Sequence, residues 1–317
     1  MHAEHTIRWA WATYGLPLAL SMSVQGASWQ WHEVPGRVTL ATADGKPVWS
    51  FHYGPDASKP FFHPVAVAGG PSLVELRPPD HPWHLGLWFS WKFINGVNYW
   101  EEDKSTGRAQ GKTEILHAKV QRQEDGSVRI ELRIAYHPPE QPAVLVEDRR
   151  IAVSAPAADG GWKIDWDATF QAQQRVVLET SPVNPQKTAG GYGGLSLRIA
   201  HAMEQWQAVD DQGRRDLAIH GEPARAVEFS GVLGGQAAGI AVLDHPTNPG
   251  APSSWFLRFA PDRKYGFTGP GLLFRQPITL DPGATLHLVY RVIIHPGRWG
   301  ADELLREWKS WAAPQGS

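Results

Sequence analysis

The sequence predicts an all-β protein: a large antiparallel two-sheet sandwich closed by a short C-terminal helix. Three observations predict it. Gly and Pro are plentiful, at 32 and 26 of 317 residues, which suits a turn-rich chain. From residue 29 onward the chain runs as short alternating or β-branched segments of strand length. Between pairs of these segments stand the Gly-containing dipeptides that make tight hairpins.

The elements follow in chain order. Arg8 is the only fixed positive side chain before Arg37, residues 9–24 are mostly apolar or small, and Val24-Gln25-Gly26-Ala27 follows. That order reads as a secretory signal peptide over residues 1–27, so the protein is expected in the periplasm or outside the cell, with residues 28–317 as a single domain. The first hairpin joins Arg37–Thr42 to Val48–Tyr53 across Asp44-Gly45. Ile115–Gln123 and Ser127–Tyr136 flank Asp125-Gly126, and Val144–Ser154 and Trp162–Gln171 flank Asp159-Gly160-Gly161. Val227–Leu233 and Ala237–Leu243 flank Gly234-Gly235, and Phe274–Leu280 and Thr285–Ile294 flank Asp281-Pro282-Gly283. Alternation such as Val128-Arg129-Ile130-Glu131-Leu132-Arg133-Ile134 turns one face to a core and one to water. The single helix is expected at Ala301–Trp311. Asp302 and Glu303 suit its first turn, and Leu304, Leu305, Trp308 and Trp311 form its apolar face.

Composition removes several functions. A formal charge of -2 gives no electrostatic footprint for nucleic acid or an anionic membrane. The absence of Cys excludes a disulfide scaffold, a thiolate nucleophile, an iron–sulfur cluster and Cys-ligated zinc. No stretch beyond the N-terminal segment has the roughly 18 unbroken apolar residues of a spanning helix, so no stable membrane insertion is expected. There is no Gly-x-Ser-x-Gly, no His-Glu-x-x-His and no dinucleotide fingerprint. The 16 Trp residues are many for this length, and Trp stacks well on sugar rings.

Phe61 to Glu102 carries the strongest chemical signal. It holds His63, then Arg77-Pro78-Pro79-Asp80-His81-Pro82-Trp83-His84, then Asn95-Gly96-Val97-Asn98-Tyr99-Trp100-Glu101-Glu102. Pro78, Pro79 and Pro82 forbid helix and stiffen the backbone, which suits a loop that presents side chains to a ligand. Asp80-His81-x-x-His84 admits three readings. Imidazoles titrate nearest neutral pH, so His81 and His84 can act as acid and base with Asp80 orienting one ring. A divalent metal held by His63, His81 and His84 is an alternative. Plain satisfaction of buried backbone by these side chains is the third. Trp88 and Trp91 lie in an apolar run and read as core, whereas Trp83 and Trp100 stand beside polar residues and suit a stacking platform.

A second constellation runs from Glu179 through Gly190-Gly191-Tyr192-Gly193-Gly194 to Arg198. The Gly run is no phosphate loop, since no Lys-Ser/Thr follows it; it lets backbone turn sharply near a ligand. Arg198 on a polar strand face can bridge hydroxyls or a carboxylate, or simply form a structural ion pair. Glu179 ends an apolar run, where a carboxylate can be a raised-pKa acid or an ordinary strand end. Asp244-His245-Pro246 echoes Asp80-His81-Pro82, and His245 joins the site if the two loops meet.

Phe62-His63-Pro64-Val65, the run from Asp80 to Trp91, Asn95-Gly96-x-x-x-Trp100 and Gly191-Tyr192-Gly193-Gly194-Leu195-x-x-Arg198 together resemble a bacterial family of unknown function commonly labelled methane oxygenase PmoA. The resemblance covers roughly residues 35–300. Trp83 departs from it, standing where many members carry a further His. The label implies a membrane-bound copper enzyme, and a chain without spanning helices does not fit one. The resemblance otherwise implies secreted or periplasmic β-sandwich proteins of carbohydrate-degrading bacteria. Ile278 to His295 also looks like the last hairpin of galactose-mutarotase-like supersandwiches.

The expectation is therefore a periplasmic or secreted carbohydrate-active enzyme that hydrolyses, eliminates or epimerises a small-molecule or oligosaccharide substrate, without a cofactor. His84, His81, Asp80 and Glu179 are the candidate catalytic residues. Arg198, Tyr192, Trp100, Trp83, His63, Asn95, Glu101 and His245 are the candidate substrate-binding residues. The alternatives are a non-catalytic carbohydrate-binding sandwich and the metal-dependent enzyme.

Overall fold

A computed structural model describes residues 29–55, 57–181 and 190–313. The expected signal peptide lies outside these residues. The strands are β1 (Gln30–Val34), β2 (Arg37–Ala41), β3 (Pro47–His52), β4 (Phe61–Val65), β5 (Leu87–Ser90), β6 (Phe93–Ile94) and β7 (Val97–Asn98). There follow β8 (Lys112–Arg122), β9 (Val128–His137), β10 (Leu145–Val153), β11 (Trp162–Ala172), β12 (Val176–Glu179), β13 (Gly194–Arg198) and β14 (Glu204–Asp210). The last are β15 (Ala226–Leu233), β16 (Gln236–Asp244), β17 (Ser254–Ala260), β18 (Tyr265–Gly271), β19 (Ile278–Leu280) and β20 (Thr285–Pro296), and helix α1 (Ala301–Ala312) ends the fold.

Two eight-stranded antiparallel sheets form the body. The first runs β1-β2-β3-β4-β5-β13-β18-β17 and the second β14-β15-β16-β20-β11-β10-β9-β8. Their facing sides share one apolar core. Trp49 of β3 lies 6.3 Å from Trp162 of β11, Phe89 of β5 stacks at 5.4 Å on Phe170 of β11, and the Trp162 indole donates to the Ala66 carbonyl at 2.7 Å. Alternation puts these residues there. In β9, Val128, Ile130, Leu132 and Ile134 are buried while the residues between them are exposed.

Four of the five expected hairpins form: β2/β3, β8/β9, β10/β11 and β15/β16 are antiparallel pairs across their Gly turns. The fifth does not. Across Asp281-Pro282-Gly283, β19 pairs with β12 in a third, four-stranded sheet (β19-β12-β6-β7), whereas β20 pairs with β11 and β16. The turn is tied to the end of β11 instead, since Gly283 N–H donates to the Ala172 carbonyl at 2.8 Å and Ala172 N–H to that of Ala284 at 3.0 Å. Backbone bonds to a third strand outweigh the local turn signal there. Helix α1 lies where expected. Leu304, Trp308 and Trp311 pack against β15, β16 and β20, while Leu305 stands outside that cluster.

One charged pair sits inside this core. Arg149 of β10 gives its Nη2 to Glu147 at 2.9 Å, Tyr136 donates to the same carboxylate, and the guanidinium lies 4.7 Å from the Trp166 ring. Breaking a buried pair strands the remaining charge, at a cost of about 3–5 kcal/mol. Arg149→Met should therefore lower the unfolding free energy by about that amount in denaturant titration. The Glu147→Leu/Arg149→Met double variant should lose less than the single one, because neither charge is left alone.

Candidate active site

The Pro-rich loop is stiffened by its own backbone. Arg77 N–H donates to His84 O at 2.8 Å, His81 N–H to Pro78 O at 3.0 Å and His84 N–H to His81 O at 2.9 Å. Gly86 then takes a left-handed conformation (φ 81°), where a Cβ would stand 2.6 Å from the Phe62 carbonyl. The chain can thus pass close to β4 and enter β5. Strand β13 pairs beside β5, with Gly194 opposite Ser90, and Arg198 N–H donates to the Gly86 carbonyl at 2.9 Å. The two constellations, a hundred residues apart in sequence, are therefore neighbouring strands of one sheet.

That adjacency fixes the loop. Arg198 is fully buried, and its Nη2 reaches both oxygens of Asp80, at 3.0 and 2.7 Å. Its guanidinium also lies 4.2 Å from the Tyr265 ring. Asp80 in turn has Oδ2 3.0 Å from Nδ1 of His81. Burial pushes the Asp80 carboxyl up, but the hydrogen bonds from Arg198 and His81 outweigh it and hold the group below its ordinary value.

A cavity of about 120 Å³ opens beside this chain of contacts. Trp83, Trp100, Tyr192, Phe256, Tyr265 and Phe267 wall it, together with His81, His84, Glu101 and Arg258. His81 stacks on His84 with ring centres 4.6 Å apart and on Tyr265 at 5.2 Å. His84 is buried against Phe267 and Trp88, at 5.0 and 5.2 Å. Burial, then the nearby His81, Arg198 and Lys59, drive its pKa well below the ordinary imidazole value, so its ring is neutral at pH 7.

Glu101 lines the same cavity. It accepts from the Lys92 ammonium, from Asn98 Nδ2 at 2.6 Å and from the Tyr192 hydroxyl at 2.9 Å. Burial raises its carboxyl, but those donors outweigh burial and keep it ionised. Burial, reinforced by the Glu101 charge, raises the Tyr192 phenol, so Tyr192 stays a donor. Behind this wall, buried Lys59 donates to the Trp100 carbonyl at 2.8 Å, and burial brings its pKa down to about 8.

The structure brings His81, His84, Trp83, Trp100, Glu101 and Tyr192 to one cavity, with Asp80 and Arg198 supporting it. Four expected residues lie elsewhere. Glu179 ends β12 and lines a separate depression with Thr180 and Phe274, and the carboxylate that lines the cavity together with the imidazoles is that of Glu101. Asn95 spans a turn and clamps β12, accepting from Val177 N–H at 2.7 Å and donating to Arg175 O at 3.2 Å. His245 bonds Thr247 at 2.7 Å and packs edge-on to Trp311 of α1, so the two Asp-His-Pro loops do not meet. His63 sits on β4 with its Cβ close to Gly86 and outside the cavity. The metal alternative meets the same obstacle: among the described residues no three His, Asp or Glu side chains group as ligands, and His63 does not join His81 and His84. Arg258, Tyr265, Phe256 and Phe267 went unnoticed in the sequence. The one signal was an Arg inside the apolar run Trp255-Phe256-Leu257-Arg258-Phe259.

Residues 39–309 match a family described as a family of unknown function, DUF6807. The chain belongs to that family. Its description names no activity, and nothing supports the methane-oxygenase label for this DUF6807 protein. Among the described residues no helix is long and apolar enough to cross a membrane. No curated protein matches the chain. Among solved structures it is similar to an alpha-galactosidase from Lactobacillus brevis, at TM-score 0.34 and 10% identity over 85% of this chain and 39% of that one. It is also similar to the galactosidase domain of an alpha-galactosidase-sucrose kinase, at TM-score 0.38 and 10% identity over 85% of this chain and 42% of that one. The DUF6807 chain thus spans about two fifths of those chains' length. Neither likeness is close enough to carry an activity across.

The neutral His84 gives the DUF6807 protein an acid-side weakness. Its folded pKa lies below the unfolded value of about 6.5, so below that pH the unfolded chain binds the proton more readily. The stability held above pH ~6.5 is therefore lost as pH falls towards the folded value. His84→Phe should flatten the acid side of a Tm-against-pH curve relative to the parent; an unchanged acid slope would show that His84 is not buried neutral.

Proposed function

We propose that this protein is a carbohydrate-active enzyme that transfers protons on a sugar ring held between the His81–His84 pair and Glu101. One observation carries the reading: a buried, neutral imidazole lies in an aromatic-walled cavity with a second imidazole stacked on it and an ionised carboxylate in the same wall. His84 is the base, because its lone pair is available at neutral pH. His81 is the acid partner, turned by Asp80, which Arg198 holds. Trp83, Trp100 and Tyr192 supply apolar faces for the ring. Glu101, already bound by three donors, orients hydroxyls and does not supply a proton.

This arrangement favours epimerisation or elimination over hydrolysis. Glycoside hydrolysis commonly uses two carboxylates across the bond, and Glu101 is the only carboxylate among the described cavity residues. Export completes the proposal, resting on the pattern of residues 1–27. N-terminal sequencing of protein from the native host tests it directly, and an uncleaved start would remove it.

The catalytic test is incubation of purified protein with glycans and 3-keto-glycosides, followed by NMR and mass spectrometry. A sugar changed in configuration or by elimination is expected. His84→Ala should lower turnover by about 10²–10⁴-fold, the usual worth of a positioned acid or base. Full turnover in both His84→Ala and Glu101→Gln would overturn the assignment. An unchanged panel with a saturable Trp fluorescence shift would instead establish a sugar-binding module.

A further inference from the structure

We infer that the substrate is a glycoside of at least two sugar units, with one ring in the cavity and the next in the groove that adjoins it. The inference rests on the reading of the cavity as a sugar site and names the size class of the sugar. The groove measures about 670 Å³. Three segments line it: the Pro-rich loop with Pro79 and Asp80, the turn after β13 with His201, and the end of β17 with Ala260, followed by Arg263. Cavity and groove share His81, Arg258 and Tyr265. That shared wall is packed, since Tyr265 lies 5.2 Å from the His81 ring and 4.2 Å from the Arg198 guanidinium. A ring held at His81 therefore has the groove beside it.

The two volumes divide the ligand between them. Small-molecule sites commonly measure about 300–1,000 Å³. The cavity, at about 120 Å³, falls short of that range and suits a single ring. The groove falls within it. A monosaccharide would leave the larger space to water, whereas a second unit would fill it. The polar groups there suit a hydroxylated ring. Asp80 presents an ionised carboxylate whose side chain is 41% exposed. Its two oxygens offer about four acceptor sites, more than Arg198 and His81 occupy. Sugar hydroxyls can donate to the rest. Asp80 then serves both halves of the ligand, setting His81 for the ring in the cavity and accepting hydroxyls in the groove. Binding energy from a unit remote from the reacting ring can be spent on turnover as well as affinity, so a truncated sugar should lose both.

The probes are matched by size: methyl glucoside with methyl maltoside and methyl cellobioside, and methyl galactoside with methyl lactoside and methyl melibioside. Binding is read by Trp fluorescence and turnover by NMR. At least one disaccharide should bind about tenfold more tightly than its monosaccharide, the surplus a well-seated ring leaves after its binding costs. Ala260 lines the groove and not the cavity. Ala260→Trp should therefore fill the groove, erase that gap and leave monosaccharide binding unchanged. Should Ala260→Trp unfold, Arg263→Ala reports from an exposed position, where the side chain pairs with neighbouring Asp262 at 3.9 Å. It should weaken disaccharide binding about threefold, the worth of one polar contact, and monosaccharide binding not at all. Equal binding of the two sizes, a preference for the monosaccharide, an equal loss for both in Ala260→Trp, or a gap that survives both variants overturns the inference. His84-dependent turnover of monosaccharides at the affinity of disaccharides overturns it and leaves the enzymatic reading standing. Groove-dependent disaccharide binding without any turnover does the reverse, and binding of neither size overturns both.

Discussion

The site depends on one ion pair, between the fully buried guanidinium of Arg198 and the carboxylate of Asp80. A guanidinium taken out of water needs a counter-charge, and Asp80 supplies it from a loop whose two ends are tied to the same strand, through Glu75 N–H to the Arg198 carbonyl and Arg198 N–H to the Gly86 carbonyl. The strand therefore dictates where the loop sits. Because Asp80 adjoins His81, the same pair sets the imidazole, and the stack of His81 on His84 and Tyr265 follows. Such a pair contributes little net stability. What it contributes is position, and position is what acid–base chemistry requires.

The neighbouring residues repeat this logic. Lys92 against Glu101, Lys59 against Glu102 and the Trp100 carbonyl, and Arg77 against Glu102 place cations and carboxylates in pairs on the flank of the first sheet. Each pair ties one connecting segment to another. Between them stand flat aromatic rings, and two imidazoles, Glu101 and Arg258 complete the cavity wall. His84 is neutral because the low-dielectric wall and the nearby cations disfavour a second charge. The site thus holds a base at neutral pH without a metal ligand set among the described residues.

How much of this was legible in the sequence varies by element. The hairpins across Asp44-Gly45 and Asp125-Gly126 were readable because turn chemistry and alternation are local signals. The hairpin across Asp281-Pro282-Gly283 misled, because Ala172, a residue more than a hundred positions away, captures its backbone. At the site, Asp80, His81, His84, Trp100 and Glu101 stood out because Pro-stiffened polar runs among Trp are unusual. Glu179 misled because a strand-end carboxylate near Gly looks alike whether it faces the cavity or its neighbour; only the register of β12 against β6 decides. His245 shared a tripeptide with His81 but lies on the other sheet, against α1. Tyr265 and Arg258 were hidden because their role comes from β17 and β18 lying beside β13, which no local pattern encodes.

The central claim is that His84 is a neutral base stacked with His81 in a sugar cavity. The direct measurement is an NMR titration of the imidazole nitrogens in ¹⁵N-histidine-labelled protein, with and without sugar. The account predicts that the His84 ring stays neutral at and well below pH ~6.5, the ordinary imidazole value, and that its signals and those of His81 move together when the sugar binds. A His84 ring that titrates near ~6.5, or ring signals that ignore a sugar shown to bind elsewhere, would contradict it.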